Sequence, residues 1–126
     1  MNYQNFNKNG GFPIKTQTLN DMQTSWQLLN GLGEIAGNFS IIIGCEENNG
    51  AVSDGLVYIN GEVIDFVGGV KGNTVIIVET AHKREFKDGT NKDVLFVRKA
   101  MFGIGNTTYN WSDFKRPKST IQLTKE

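Results

Sequence analysis

One stretch near the N-terminus, residues 18–37, carries the only sustained helical period in this chain, and the residues after it have the pattern of β-strands. Apolar residues recur in it at alternating spacings of three and four, as they do along one face of a helix. A helix of this length spans roughly 30 Å at ~1.5 Å per residue. This first apolar row consists of Leu19, Met22, Trp26, Leu29, Gly33 and Ala36.

A second apolar row lies beside the first and widens the apolar face of the helix; it consists of Leu28, Leu32 and Ile35. One row is enough to pack a helix on a small sheet. Two adjoining rows predict that one packs on the chain's own strands and the other on a second copy of the chain. We therefore predict that helices from two or three copies meet at an oligomer interface formed by Leu19, Met22, Trp26, Leu29 and Gly33.

Local signals set the expected limits of this helix. Thr18 is predicted as the N-cap, and Asp21 three residues later completes a pattern close to a capping box. The Gly37-Asn38 pair is predicted to end the helix.

The remaining chain predicts about six or seven antiparallel strands. Asn60-Gly61, between two β-rich runs, predicts a two-residue hairpin with a type I′ turn. Residues 74–86 and 93–102 predict an extended hairpin with a solvated tip. The fold class that follows is α+β, an N-terminal helix followed by a small antiparallel β-sandwich or barrel-like sheet. The 126 residues fit one domain over residues 18–117, with an extended N-terminal arm (1–17) and a C-terminal tail (118–126) that forms an edge strand or an arm.

Charge and hydropathy exclude several classes of partner. The 13 basic and 13 acidic residues give zero net charge, which argues against binding to nucleic acid or to a membrane surface. No apolar run approaches the ~20 residues that cross a bilayer. The N-terminus lacks the pattern of a signal peptide, so we expect synthesis in a cytoplasm.

The sequence predicts no enzyme, no metal and no cofactor. Cys45 and His82 are the only residues of their types, and together they cannot supply a zinc site. Cys45 as a nucleophile would need His82 beside it as a base, and a buried strand residue is the better interpretation. The aromatic residues near the C-terminus are interpreted mainly as part of the core. Tyr109 and Trp111 are kept as candidate surface contacts for a carbohydrate-binding alternative.

Several stretches, taken in order, resemble a structural virion domain of tailed phages of gut Bacteroidetes, including crAss-like phages. The family's GGFP entry into a helix resembles NGGFPIKTQTLNDMQ (9–23), and its next strand resembles IIIGCE (41–46). Its DG…NGE hairpin resembles VSDGLVYINGEVIDFVGG (52–69). Its later strands resemble VIIVET (75–80) and DVLFVRKA (93–100). Ile43 departs from the pattern, because the family has a small residue there.

The resemblance implies a structural role in the virion. Such domains attach or extend fibres on the head or tail and assemble as homo-oligomers. We therefore expect a head- or tail-fibre component or adaptor, a dimer or trimer that contacts capsid, fibre or tail proteins. This sequence ends soon after the domain, so we expect a stand-alone component with no distal fibre. The alternative is a small carbohydrate- or surface-binding module used in host recognition.

Overall fold

The computed structural model describes residues 1–124, so Lys125 and Glu126 of the predicted tail lie outside the described residues. The chain begins with helix α1 Thr16–Gln27, which a 3₁₀ helix Leu28–Ile35 (the 3₁₀ segment) continues. Nine strands follow: β1 Ser40–Gly44, β2 Glu47–Asn48, β3 Ala51–Val52, β4 Gly55–Ile59, β5 Glu62–Val67, β6 Gly69–Val70, β7 Thr74–Glu85, β8 Asn91–Phe102 and β9 Tyr109–Asn110. The described chain ends with a short 3₁₀ turn Trp111–Asp113 and helix α2 Thr120–Thr124.

The strands form two sheets, and the larger one is strongly curled into a half-barrel. Its strand order is β1-β4-β5-β8-β7-β9, and a smaller sheet has the order β2-β3-β6. The predicted α+β fold with a barrel-like sheet is confirmed. One pair departs from the predicted antiparallel pattern, because β5 and β8 run parallel. The reason is topological: β7 reverses the chain direction before β8 reaches the side of β5.

Both predicted hairpins are present. Asn60 and Gly61 have φ angles of +48° and +86°, and they join β4 to β5 as the type I′ turn requires. Strands β7 and β8 pair over almost their whole length, from Val75 opposite Phe102 to Glu85 opposite Asn91. Because β5 and β9 pair only with the inner ends of this hairpin, its outer half projects from the sheet as a two-stranded ribbon.

The core lies on one face of the half-barrel. Alternate residues of β4 and β5 supply it, and Val75 and Ala100 of the long hairpin are fully buried. Trp111 and Phe114 close the core from the C-terminal side, with ring centroids 5.4 Å apart. This closure needs no large side chain from the helical part of the chain.

The helix differs from its prediction at the start and in its second half. It begins at Thr16 with Lys15 as the N-cap residue, so Thr18 is not the N-cap. The Thr18 hydroxyl instead donates to the Pro13 carbonyl at 3.2 Å. The α-helical form ends at Gln27 and the 3₁₀ segment continues. The predicted stop at Gly37 is confirmed, since its φ is +90° and its N–H donates to the Gly33 carbonyl.

The two ends of the chain also take definite positions. The N-terminal arm lies along α1, where the Gln4 side-chain amide donates to the Thr18 carbonyl at 2.7 Å. The C-terminal tail forms the short helix α2 and not the edge strand that was one of its predicted forms.

Candidate oligomerisation surface

The 3₁₀ segment attaches to the sheet through small and polar residues. In a 3₁₀ helix, residues three apart lie on one line, so Asn30, Gly33 and Ala36 form a row that faces the sheet. Gly33 is buried against the ring of Tyr58, and a Cβ at Gly33 would lie 1.9 Å from Tyr58 Cδ2. The Asn30 side-chain oxygen accepts a hydrogen bond of 3.1 Å from the Val63 N–H. Only a residue without a side chain fits at the centre of this row.

Further hydrogen bonds hold the segment in place. The Tyr58 hydroxyl donates to the Glu34 carboxylate. This bond, helped by burial, raises the pKa of Tyr58 above its ordinary value. At the end of the segment the Ser40 hydroxyl donates to the Ala36 carbonyl at 3.0 Å. The position of the segment therefore depends on specific polar contacts and on the close fit at Gly33.

A neighbouring row of the segment, about 120° around the 3₁₀ axis, consists of large apolar residues that face outwards. Leu29, Leu32 and Ile35 are 46%, 61% and 88% exposed, respectively. Leu28 is also exposed, and Ile42 of β1 is partly exposed beside Leu29 and Leu32. An ordinary amphipathic segment buries its large apolar side chains and exposes its polar ones. The 3₁₀ segment does the reverse.

A groove runs between this outward row and the sheet. Leu29, Leu32, Gly33, Ile42 and Val63 line a cavity of about 180 Å³. A larger cavity of about 490 Å³ continues from Leu32 and Ile35 towards the chain around Pro117. Contiguous exposed apolar area of this kind is typical of protein interfaces.

Helix α1 carries further exposed apolar residues towards the N-terminus. Leu19 and Trp26 are exposed, and Met22 is half-buried. The arm leaves a cavity of about 310 Å³ against the helix, lined on the helix side by Met22, Ser25 and Trp26. We call the exposed apolar residues of α1, of the 3₁₀ segment and of β1 beside it the helical surface; they are Leu19, Trp26, Leu28, Leu29, Leu32, Ile35 and Ile42.

The predicted interface residues divide between the two sides of the helical part. Leu19, Trp26 and Leu29 belong to the helical surface, and Met22 lies at its edge beside the arm. Gly33 is corrected, because it packs on Tyr58 of its own chain and is not available to a second copy. Ile42 was not predicted as part of this surface, since its position depends on the packing of β1 beside the 3₁₀ segment and no local pattern reports that.

Trp111 is also corrected as a surface contact. It is 8% exposed, and its indole N–H donates to the Glu47 carboxylate at 3.2 Å. Tyr109 is half-buried, with its ring 5.6 Å from that of Phe39. The pairing of β9 with β7 places both aromatic residues in the closure of the core. They do not form an exposed platform on which a sugar ring could stack.

Cys45 and His82, the two residues considered for catalytic chemistry, lie in different settings. Cys45 is buried, and burial raises the pKa of its thiol, which disfavours the reactive thiolate. His82 lies on the exposed outer half of β7. Within the described part of the chain no group of three or more His, Cys, Asp or Glu residues is placed to hold a metal ion. No helix there is long and apolar enough to cross a bilayer.

The ribbon formed by the outer halves of β7 and β8 is a second exposed apolar area. Val94, Leu95 and Phe96 are each about half exposed on it. At the base of the ribbon Arg98 donates to Glu62 through Nε at 2.7 Å and to Glu79 through Nη1 at 3.0 Å. These bonds tie β5, β8 and β7 together where the core ends.

Comparison with known proteins gives a similar solved structure. No protein-family model matches the chain, and a search of curated proteins found no match. Among solved structures, the chain is similar to the C24 protein from the Antarctic microorganism Bizionia argentinensis, with 40% sequence identity and a TM-score of 0.70. The match covers 85% of this chain and 40% of that chain, so this chain spans about two-fifths of the neighbour's length.

Proposed function

We propose that this protein is a structural component of a phage virion, an oligomeric head- or tail-fibre component or adaptor that attaches to other virion proteins. The observation that carries the assembly role is the reversed 3₁₀ segment, with Gly33 inside and Leu29, Leu32 and Ile35 outside. The large apolar side chains of that row stay substantially exposed in the single chain, since even Leu29, the least exposed of them, is 46% exposed. Burial of these side chains against a second copy would remove apolar area from water and so stabilise an oligomer.

The placement in a virion has separate support. It rests on the resemblance of the GGFP entry, the NGE hairpin and the later strands to structural domains of Bacteroidetes phages. The solved neighbour contains a similar fold within a chain more than twice as long as the matched part, which suits a module that attaches to other domains. On this proposal the protein is made in the host cytoplasm and incorporated into the particle.

The carbohydrate-binding alternative rested on Tyr109 and Trp111 as surface contacts. Tyr109 is half-buried, and the indole ring of Trp111 packs against Phe66, Phe102 and Phe114. We therefore propose the assembly role alone.

The native mass of the purified protein across a dilution series tests the assembly role. We expect a dimer or trimer at micromolar concentration. Replacement of Ile35 by Asp should weaken association about tenfold or more, because it places a charge in a buried apolar contact. The double replacement of Trp26 and Leu29 by Asp should have a larger effect.

Ile104 provides a matched control, since it is 91% exposed against 88% for Ile35 and lies in the loop after β8. Ile104→Asp should leave the native mass unchanged. A natural chain that is monomeric at micromolar concentration, or an oligomer that Ile35→Asp leaves intact, would contradict the proposed surface. The virion placement is tested separately, by detection of the protein in purified particles.

A further inference from the structure

We infer that one face of the projecting ribbon is a docking surface for an acidic protein segment. The ribbon is the outer half of the β7–β8 hairpin, beyond the strands that pair with its inner end. The inference rests on the proposed function in one respect, that the protein attaches to other proteins. It concerns a different set of residues from the helical surface, and it gives the chemistry of the partner.

The register of the hairpin sorts the charged side chains of the ribbon between its two faces. Directly opposed residues of paired strands share a face, and neighbours along a strand alternate. The extra residue in the register, Val94, is in β8, so the alternation along β7 is continuous. On one face Arg98 donates to Glu79 at 3.0 Å, and Lys83 Nζ lies 4.0 Å from the Asp93 carboxylate. The cations of this face are therefore paired with carboxylates.

The other face of the ribbon carries two cations directly opposite each other. Arg84 and Lys92 are partners in the register, and like charges in that position destabilise a strand pair. The Arg84 guanidinium donates to the Lys83 carbonyl at 2.9 Å and is in no ion pair within the described part of the chain. Lys92 Nζ lies 4.0 Å from the Asp88 carboxylate and 4.7 Å from the centre of the Phe86 ring. The two cations thus share one carboxylate at the limit of ion-pair distance.

Apolar side chains lie next to this cation pair on the same face. Leu95 is opposite His82, which lies two residues from Arg84 along β7. Leu95 is 46% exposed, and Val97, the next residue of β8 on this face, is half-buried. Protein interfaces commonly combine an apolar centre with a polar rim. An unneutralised cation pair beside exposed apolar area fits a partner that brings carboxylates and apolar side chains together.

The distribution of charge favours an acidic protein over a nucleic acid as this partner. The chain has 13 basic and 13 acidic residues, whereas binding to a phosphate backbone usually depends on a basic excess. Carboxylates also bound the face, since Asp88 lies at the tip and Asp65 is in register with Lys99 at the inner end. A continuous row of phosphates would approach them. A protein segment can place Asp or Glu at the cations and apolar side chains at Leu95.

An NMR titration of the natural chain with a synthetic peptide tests the inference. The peptide repeats the sequence Glu-Leu-Glu-Ser, and a second peptide has Gln in place of each Glu. We expect the acidic peptide to shift the backbone amide signals of residues 80–97, and the Gln peptide to leave them unchanged. The affinity for the acidic peptide should fall as the salt concentration rises, because salt screens exposed charges.

Charge variants of the ribbon show whether the cation pair is the determinant. The double variant Arg84→Gln/Lys92→Gln should weaken binding of the acidic peptide about fivefold or more. Lys8→Gln/Lys15→Gln is the matched control, because it removes the same charge from exposed residues outside the ribbon, and it should change the affinity less than about twofold. Arg84→Glu turns the like-charge pair into an opposite-charge pair, so it should abolish binding without lowering the Tm.

The outcomes separate this inference from the proposed assembly role. Equal binding of the two peptides, or an affinity that the Arg84/Lys92 double variant leaves unchanged, would overturn the inference. Tighter binding of duplex DNA, lost in the same variant, would overturn it in favour of a nucleic acid partner. A natural chain with an oligomeric native mass and no binding of the acidic peptide would overturn the inference alone. A monomer that binds the peptide through the ribbon would support the inference and contradict the assembly role.

Discussion

The curled sheet buries its large apolar side chains, whereas the 3₁₀ segment exposes its own. In β4 and β5, Val57, Ile59, Ile64 and Phe66 belong to the sheet core and are almost completely buried. In the 3₁₀ segment the large apolar row faces outwards, and Gly33 faces the sheet. The sheet thus completes a core without the large side chains of the helical part. Those side chains remain available for contacts outside the chain.

The largest expected loss of stability comes from a substitution that leaves a cavity in the sheet core. Phe66 is fully buried, with its ring 5.2 Å from Phe102 and 5.3 Å from Trp111. Phe66→Ala should lower the free energy of unfolding by about 3–5 kcal/mol. Denaturant titration at a fixed, low protein concentration measures it.

Ile35→Ala is the comparison variant for this experiment. It removes an exposed side chain, so the free energy of unfolding of the monomer should change by no more than about 0.5 kcal/mol. A loss as large as that of Phe66→Ala would mean that the 3₁₀ segment belongs to the core, and the contrast would fail.

A smaller effect is expected at the contact between the two regions. Gly33→Ala places a methyl group where the Tyr58 ring lies, so the 3₁₀ segment must move away from the sheet. We expect a loss of about 1–3 kcal/mol in the free energy of unfolding. Gly31 lies in the same segment, and a methyl group there would meet no other part of the protein within 4 Å.

Gly31→Ala is therefore the matched control and should be neutral or stabilise the protein by up to about 1 kcal/mol. Equal effects of the two substitutions would show that Gly33 acts through backbone flexibility and not through its fit against Tyr58.

The comparison also shows which features the sequence could predict. The Asn60-Gly61 turn was predictable, because its positive φ angles depend on two adjacent residues. The change from α to 3₁₀ after Gln27 was not, because it depends on contacts with residues far along the chain. Gly33 meets Tyr58, and Asn30 binds the Val63 N–H. A helical period read at α spacing consequently placed Gly33 on the wrong side.

The aromatic residues near the C-terminus illustrate the same limit. The sequence identified the cluster of Tyr109, Trp111 and Phe114 and favoured a core role. Which ring would be enclosed depends on the pairing of β9 with β7, and the indole N–H finds its acceptor, Glu47, in the smaller sheet. Such long-range pairings leave no local pattern, so Trp111 remained a candidate for the surface until the fold placed it.

The smallest effect concerns the polar end of this closure. Glu47 accepts hydrogen bonds from the Trp111 indole N–H and from Lys71 Nζ, both at 3.2 Å. These bonds lower the pKa of Glu47 below its ordinary value of 4.5. A carboxyl whose pKa is lower in the folded state stabilises the fold above its unfolded pKa, and this contribution is lost as the pH falls through the folded pKa. The effect should be small, because the Glu47 side chain is 50% exposed.

Glu47→Gln retains an oxygen that can accept from Trp111 and removes the titration. Between about pH 5 and about pH 3, the variant should therefore lose less of its free energy of unfolding than the natural chain does. Glu85→Gln, on the projecting half of β7, is the control for the removal of one exposed carboxylate away from the closure. If Glu47→Gln lost as much free energy of unfolding as the natural chain over this range, the charge of Glu47 would not be the source of the pH dependence.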